Sequence, residues 1–165
     1  MSKSNLYRLS AFSEQADGGN PAGVWVGDAL PPAHDMQRIA KEVGFSETAF
    51  IAPASGTERD VRYFSPEAEV SFCGHATIAS GVLLGMQDGA GDYRFHTQVG
   101  EVAVDVRREH DRISAALTSV EPRHERPPKA LLDAVLETLD WKPSDLDASL
   151  VPAKAYAGAW HLIIA

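Results

Sequence analysis

Apolar and polar positions divide this chain into short alternating stretches and a few segments of helical period. Leu6 to Phe12, Gly23 to Val26, Thr48 to Ile51, Asp60 to Phe64, Tyr93 to Thr97, Glu101 to Arg107 and Arg112 to Leu117 alternate or carry β-branched and aromatic runs. Each predicts a strand. Ala33 to Val43 differs: Met36, Ile39, Ala40 and Val43 fall on one face, with Pro31 and Pro32 ahead and Gly44 behind. That predicts an amphipathic surface helix. His75 to Met86 contains no Asp, Glu, Lys or Arg, so no face of a helix there suits water. It should be a helix enclosed by strands. Leu131, Leu132, Val135, Leu136 and Leu139 set out a further amphipathic helix, closed by Trp141-Lys142-Pro143. Strands curled around one buried helix imply an α+β domain with a barrel-like sheet.

The regular pattern breaks at Ser119 to Lys129, where three prolines and alternating charges interrupt everything periodic. This divides the chain into a domain over 1–118, a linker over 119–129 and a further segment over 130–165. Ala159 to Ala165 reads as a strand needing partners on both edges, yet no turn or polar tail follows it. The expectation is that 130–165 begins a second domain of which only the first part is present. No short-period repeat or low-complexity segment occurs, which argues against a solenoid or propeller.

Composition narrows the partners. Fifteen Lys plus Arg against 23 Asp plus Glu give a net charge of −8, which repels phosphate backbones and anionic lipid. Neither nucleic acid nor a membrane is expected as a partner. No apolar run reaches the roughly 18 residues of a bilayer crossing, and the first residues lack a secretory apolar stretch, so a cytoplasmic location is expected. The single cysteine, Cys73, can form no internal disulfide and no thiolate metal cage by itself. The histidines lack ligand spacing such as His-x3-His, and no metal or organic cofactor is expected.

Three stretches can carry chemistry. In Tyr63-Phe-Ser-Pro-Glu-Ala-Glu-Val-Ser-Phe-Cys-Gly-His-Ala-Thr77 a strand leads to Cys73, Gly74 and His75 at the first turn of the uncharged helix. Free amides and the positive dipole end there favour a carboxylate or a developing enolate, by about 0.3–2 kcal/mol from the dipole alone. A buried thiol, a turn glycine and a capping histidine in a packed core is the other reading of the same residues. In Gly44-Phe-Ser-Glu-Thr-Ala-Phe50, Glu47 sits between Phe45 and Phe50 at a helix-to-strand junction, where partial desolvation suits a carboxylate to proton transfer. A solvated loop residue or a cap is the alternative. The third, Asp17-Gly-Gly-Asn-Pro-Ala-Gly23, is by itself a tight reversal before a strand.

In this order the stretches resemble the PhzF-like family of isomerases and epimerases, named for a phenazine-biosynthesis enzyme. The match runs through Phe12, Gly19-Asn-Pro-Ala-Gly23, Gln37-Arg-Ile-Ala40, Ser46-Glu-Thr-Ala-Phe50, Arg62-Tyr-Phe-Ser-Pro66, Glu69 and Cys73-Gly-His-Ala-Thr77. It continues through Phe95-His-Thr97, Gly100 and Ala157-Gly-Ala-Trp-His161. The resemblance implies a diaminopimelate epimerase-like fold, two similar halves each wrapping a mixed sheet around a central helix, with substrate between them. It makes Glu47 the acid/base, puts His75 and Gly74 on the same cleft, and positions Cys73 like the catalytic thiol of diaminopimelate epimerase and proline racemase relatives. It also places Asn20, Ala76 and Thr77 at the substrate.

On this reading Glu47 removes a proton beside an activating group of a small carboxylic acid and returns it elsewhere. His75 and the helix-start amides hold the carboxylate or delocalised anion, and Cys73, its thiolate favoured by the dipole, is a candidate second base. The family's remaining acidic and binding groups lie past residue 165 in the family's order, so weak turnover is expected unless another copy completes the site. The rival of another class is a non-catalytic protein that keeps the fold for ligand binding or self-association, with a homodimer as its natural form. A cysteine hydrolase would need Cys73 as nucleophile with a separate base from His96, His110, His124 or His161, none of which sits in a local signature.

Overall fold

The computed structural model describes residues 5–14 and 18–165, and the chain forms two compact units, 1–120 and 121–165. Asp17, the first residue of the turn cluster read from sequence, lies outside the described residues.

The first unit is one curled sheet closed around a helix. Its strands are β1 (Asn5–Ala11), β2 (Asn20–Val26), β3 (Thr48–Pro53), β4 (Glu58–Phe64), β5 (Glu69–Val70), β6 (Gly91–Thr97), β7 (Gly100–Glu109) and β8 (Arg112–Thr118), and its helices are α1 (Ala33–Val43) and α2 (Gly74–Gln87). The sheet order is β1-β2-β3-β4-β6-β7-β8, with β5 paired to β4. Pairings are antiparallel except β2 with β3 and β4 with β6. The parallel pair β2/β3 needs a crossover, and α1 supplies it.

β3 shows why both helices are required. Its residues Thr48 to Ala52 are all buried, and alternate side chains enter different clusters: Ala49 and Ile51 face the core around α2, whereas Phe50 packs with Trp25, Met36, Ala40 and Phe64 beneath α1. A strand covered on both faces reads as a continuous apolar run. α1 stops at Gly44, whose φ of 73° lets its N–H reach the Ala40 carbonyl at 3.0 Å. No side chain would collide there, so the left-handed backbone, not space, demands glycine. The reversal aims the chain at Glu47 and β3.

α2 is the central helix, and Gly81 and Gly85 set how closely it approaches β7 and β8. A Cβ at Gly81 would lie 2.8 Å from Val104 Cγ1 and 2.9 Å from the Ala115 methyl; at Gly85 it would lie 2.6 Å from Val106 Cγ1 and 2.7 Å from Ile113 Cγ2. Buried hydroxyls on this helix close on its own backbone: Ser80 donates to the Ala76 carbonyl and Thr77 to the Cys73 carbonyl, each at 2.7 Å. The strand pattern read from sequence holds, with one addition. β5 is too short to show a period, and it is held by a turn in which the Ser65 hydroxyl accepts from the Ala68 and Glu67 amides, and by a bidentate Arg62–Glu69 pair at 2.6 Å.

The second unit contains β9 (Arg123–Glu125), α3 (Lys129–Thr138), β10 (Ala153–Tyr156) and β11 (Trp160–Ile163), with the antiparallel order β11-β10-β9. β9 falls inside the 119–129 stretch read as a linker: its prolines flank a three-residue strand instead of marking free chain. The strand expected near 159–165 is present as β11, and it is an edge strand that pairs with β10 alone among the described residues. No helix among the described residues is long and apolar enough to cross a membrane.

Candidate active site

One end of the curled sheet gathers the start of β3, the end of β4 and the first turn of α2. Glu47 is fixed from behind by its own backbone, because its carbonyl accepts the Gly23 N–H at 3.1 Å as β2 and β3 begin to pair. Gly23 has no substitute: a Cβ would lie 2.6 Å from Thr48 Oγ1. Cys73 and His75 enter as the N-cap and second residue of α2. Tyr63 on β4 anchors that turn, since its hydroxyl and the Thr77 hydroxyl lie 2.7 Å apart while Thr77 donates to the Cys73 carbonyl. The proton order is therefore fixed: Tyr63 donates to Thr77, and Thr77 to Cys73. Tyr63 is 1% exposed, and burial pushes its phenol far above the ordinary range.

Three side chains converge in front of this scaffold. His75 Nε2 lies 3.5 Å from a Glu47 carboxylate oxygen, Cys73 Sγ lies 3.2 Å from His75 Nδ1, and the three groups fall within 4.8 Å of one another. The His75 side chain is 10% exposed and that of Glu47 24%, so the cluster is sheltered but open on the glutamate side.

The thiol departs from expectation. A helix start should favour the thiolate, yet Cys73 is pushed up to about 12, chiefly by burial, with the Glu47 carboxylate adding to the rise through its charge and a hydrogen bond from the thiol. Amides of Ala76 and His75 pointing at the sulfur work the other way and do not prevail. Near neutral pH Cys73 is a thiol, so it neither acts as a resting base nor resembles an activated hydrolase nucleophile.

The other sequence-derived positions separate into two groups. Gly74 has ordinary φ, and the nearest atom to an added Cβ would be Leu117 Cδ2 at 3.9 Å, so neither backbone nor packing requires glycine; the space above it is free. Thr77 is fully buried with its hydroxyl committed on both sides, and the Ala76 methyl is equally buried. These two build the floor, and only the Ala76 N–H reaches the cluster. Asn20 is exposed at the start of β2, opposite Ala11 and at the same end of the sheet as Glu47. Among other residues of the matched stretches, Arg62 and Glu69 pair with each other, and Gln37 Nε2 donates to the Ser65 carbonyl at 2.8 Å. Tyr63 is the residue that sequence did not single out; only the register, which sets it inward on β4 opposite α2, reveals its role.

A hollow of about 990 Å³ lies over Ile78, Val82 and Met86 of α2 and between β1 and β8. Glu47, Cys73 and His75 do not line it, although Phe45 and Ile78 border it close to them in sequence.

Comparison with known proteins agrees with this architecture. The family described as Phenazine biosynthesis-like protein matches residues 9–165. The chain belongs to the phenazine biosynthesis-like protein family. Within it, an uncharacterized isomerase of Pseudomonas aeruginosa is 36% identical over 132 residues, which is 79% of this chain and 50% of the relative. A trans-2,3-dihydro-3-hydroxyanthranilate isomerase of Pseudomonas fluorescens is 34% identical over 114 residues, covering 68% of this chain and 41% of that enzyme. In fold, a hydroxyproline epimerase of Agrobacterium vitis superposes with a TM-score of 0.65 at 13% identity, over 99% of this chain and 51% of its own. This phenazine biosynthesis-like chain thus has the mixed α+β fold shared with epimerases, and it spans about half the length of the curated relatives it matches.

Proposed function

We propose that this chain carries the acid/base part of a cofactor-independent isomerase site, in which Glu47 moves a proton between carbons of a small carboxylic acid. The observation that carries the reading is the convergence of Glu47 with His75 at 3.5 Å beside the first turn of α2. Glu47, as carboxylate, takes the proton next to an activating group. His75 and the amides at the helix start hold the carboxylate or the delocalised anion, and Glu47 returns the proton to a different carbon.

Geometry favours a hydrogen shift over inversion by these residues alone. Inverting a stereocentre with two bases needs them on opposite faces of the substrate. Cys73 and Glu47 lie within 4.8 Å of each other and of His75, so both address one face. A shift along one face needs only one group that gives back what it took. The Pseudomonas fluorescens relative is named for an isomerisation of a cyclic amino acid, and its substrate is the natural probe.

Since the matched relatives are about twice as long, further contacts to the substrate are expected from chain outside these residues or from a second copy, and turnover by the 165 residues alone should be slow. Phe12 at 73% and Met86 at 59% exposure beside the β1–β8 hollow are in keeping with a homodimer, and sedimentation reads that directly. The function is tested by proton NMR in D2O with trans-2,3-dihydro-3-hydroxyanthranilate. Wild type should exchange a carbon-bound proton, and Glu47→Gln should slow exchange by about 10²–10⁴-fold. Equal exchange by both proteins refutes Glu47 as the acid/base; exchange by neither counts against the isomerase reading.

A further inference from the structure

We infer that Cys73 is a positioning residue for His75: its thiol donates to Nδ1, which leaves the proton of the neutral ring on Nε2, facing Glu47. Sγ lies 3.2 Å from Nδ1 and 4.0 Å from Nε2, while Nε2 lies 3.5 Å from a Glu47 carboxylate oxygen. The imidazole therefore stands between two partners, one at each nitrogen. A neutral imidazole has one donor and one acceptor nitrogen, and the partner of one decides the state of the other. Without a hydrogen, Nε2 would turn a lone pair toward a carboxylate. The anion thus selects the Nε2–H form, and Nδ1 needs a donor on a side chain that is 10% exposed. The thiol is the donor at hand.

The sulfur is suited to this role. Amides of Ala76 and His75 already donate to it, so its acceptor capacity is engaged and the S–H is what remains to be directed outward. Burial keeps that hydrogen in place near neutral pH. The backbone beneath it is held, because the Thr77 hydroxyl and N–H both donate to the Cys73 carbonyl, at 2.7 and 3.0 Å. Glu47 competes for the same single hydrogen. Were the thiol to turn to it, the carboxylate would gain a donor and the sheltered Nδ1 would lose one. The hydrogen-bond assignment belongs to the protein without substrate. Its consequence rests on the isomerase reading: a neutral His75 presents Nε2–H to the substrate anion, and Cys73 acts through that ring.

The test reads the contact first without substrate. Cys73 is the only cysteine, so the Raman S–H stretch reports it alone, and the 15N ring signals of His75 are assigned by their loss in His75→Phe. At about pH 9, well above the ordinary histidine value of about 6.5, Nε2 should be protonated and Nδ1 bare. The S–H band should lie at the lowered frequency of a donating thiol. His75→Phe should raise it, and Glu47→Gln should leave it in place. Circular dichroism checks that each variant folds, and the wild-type 15N spectrum needs no variant. A proton on Nδ1, a band that His75→Phe leaves unmoved, or a band that Glu47→Gln raises instead, overturns the proposal. In the D2O exchange assay Cys73→Ala should be about 2–10-fold slower than wild type, the factor one hydrogen bond carries, and Cys73→Ser, which keeps a donor, should recover most of that loss. Serine no better than alanine counts against it. The expected spectra without substrate exchange leave the thiol's role standing and remove the isomerase, and exchange with a proton on Nδ1 does the reverse.

Discussion

The hydrogen-bonded chain from Tyr63 through Thr77 to Cys73 makes a quantitative claim about how the helix start is held. Tyr63→Phe removes the first donor and leaves the Thr77 hydroxyl still donating to the Cys73 carbonyl, so it should cost about 0.5–1.5 kcal/mol. Thr77→Val, of nearly the same shape, strands the Tyr63 hydroxyl at a position 1% exposed, and should cost about 1–3 kcal/mol. The Cys73 carbonyl loses little in that variant, because it keeps the Thr77 N–H at 3.0 Å. Combining the two removes both polar groups together, so the double variant should be less destabilised than the sum of the singles by about 1 kcal/mol. The assay is urea unfolding in a background where Trp141 and Trp160 are changed to Phe. Trp25, 7% exposed and packed 6.0 Å from the Phe50 ring, then reports the first unit alone. Additive costs, or Thr77→Val no worse than Tyr63→Phe, would refute the donor order and with it the anchored helix start.

Glycines of α2 should respond by position. Gly81→Ala and Gly85→Ala each force a methyl against β7 and β8, a cost of about 1–3 kcal/mol that the helix-propensity gain of up to about 1 kcal/mol does not offset. Gly74→Ala should leave the urea midpoint nearly unchanged and yet weaken binding of a small carboxylic acid, because its methyl occupies free space over the helix start. Cys73 should resist iodoacetamide near neutral pH far more than a free thiol, reacting at the ordinary rate only in urea. Because folding raises its pKa from 9.0 to about 12, the unfolded chain releases the proton first. Stability from this group is thus full below about pH 9 and lost as pH climbs toward 12, a decline that Cys73→Ala should remove from the alkaline unfolding profile.

Much of this arrangement was legible in the chain, for physical reasons that differ by element. α1 was readable residue for residue because an unbroken apolar stripe, two prolines and Gly44 marked its face and both its ends. α2 showed itself by lacking any charge. β5, β9 and β10 span two to four residues, too few for a period of two to emerge from local sequence. Glu47 and Cys73-Gly74-His75 were identifiable as chemistry, but their union depends on β3 pairing with β4 and α2 starting beside them. That the Thr77 hydroxyl and the Ala76 methyl turn inward is not legible in sequence, because motif positions do not reveal which atoms face the core. For the thiol, the dipole is visible in sequence, whereas the burial and the facing Glu47 carboxylate that push its pKa up exist only in the fold.

The account stands or falls on whether the glutamate and histidine serve one ligand. Protein labelled with 13C at the Glu47 carboxyl and 15N in the His75 ring, titrated by NMR with trans-2,3-dihydro-3-hydroxyanthranilate, tests this directly. Both signals should move along a single isotherm with one shared Kd. Movement of only one of them, two different Kd values, or binding that leaves both untouched would contradict it.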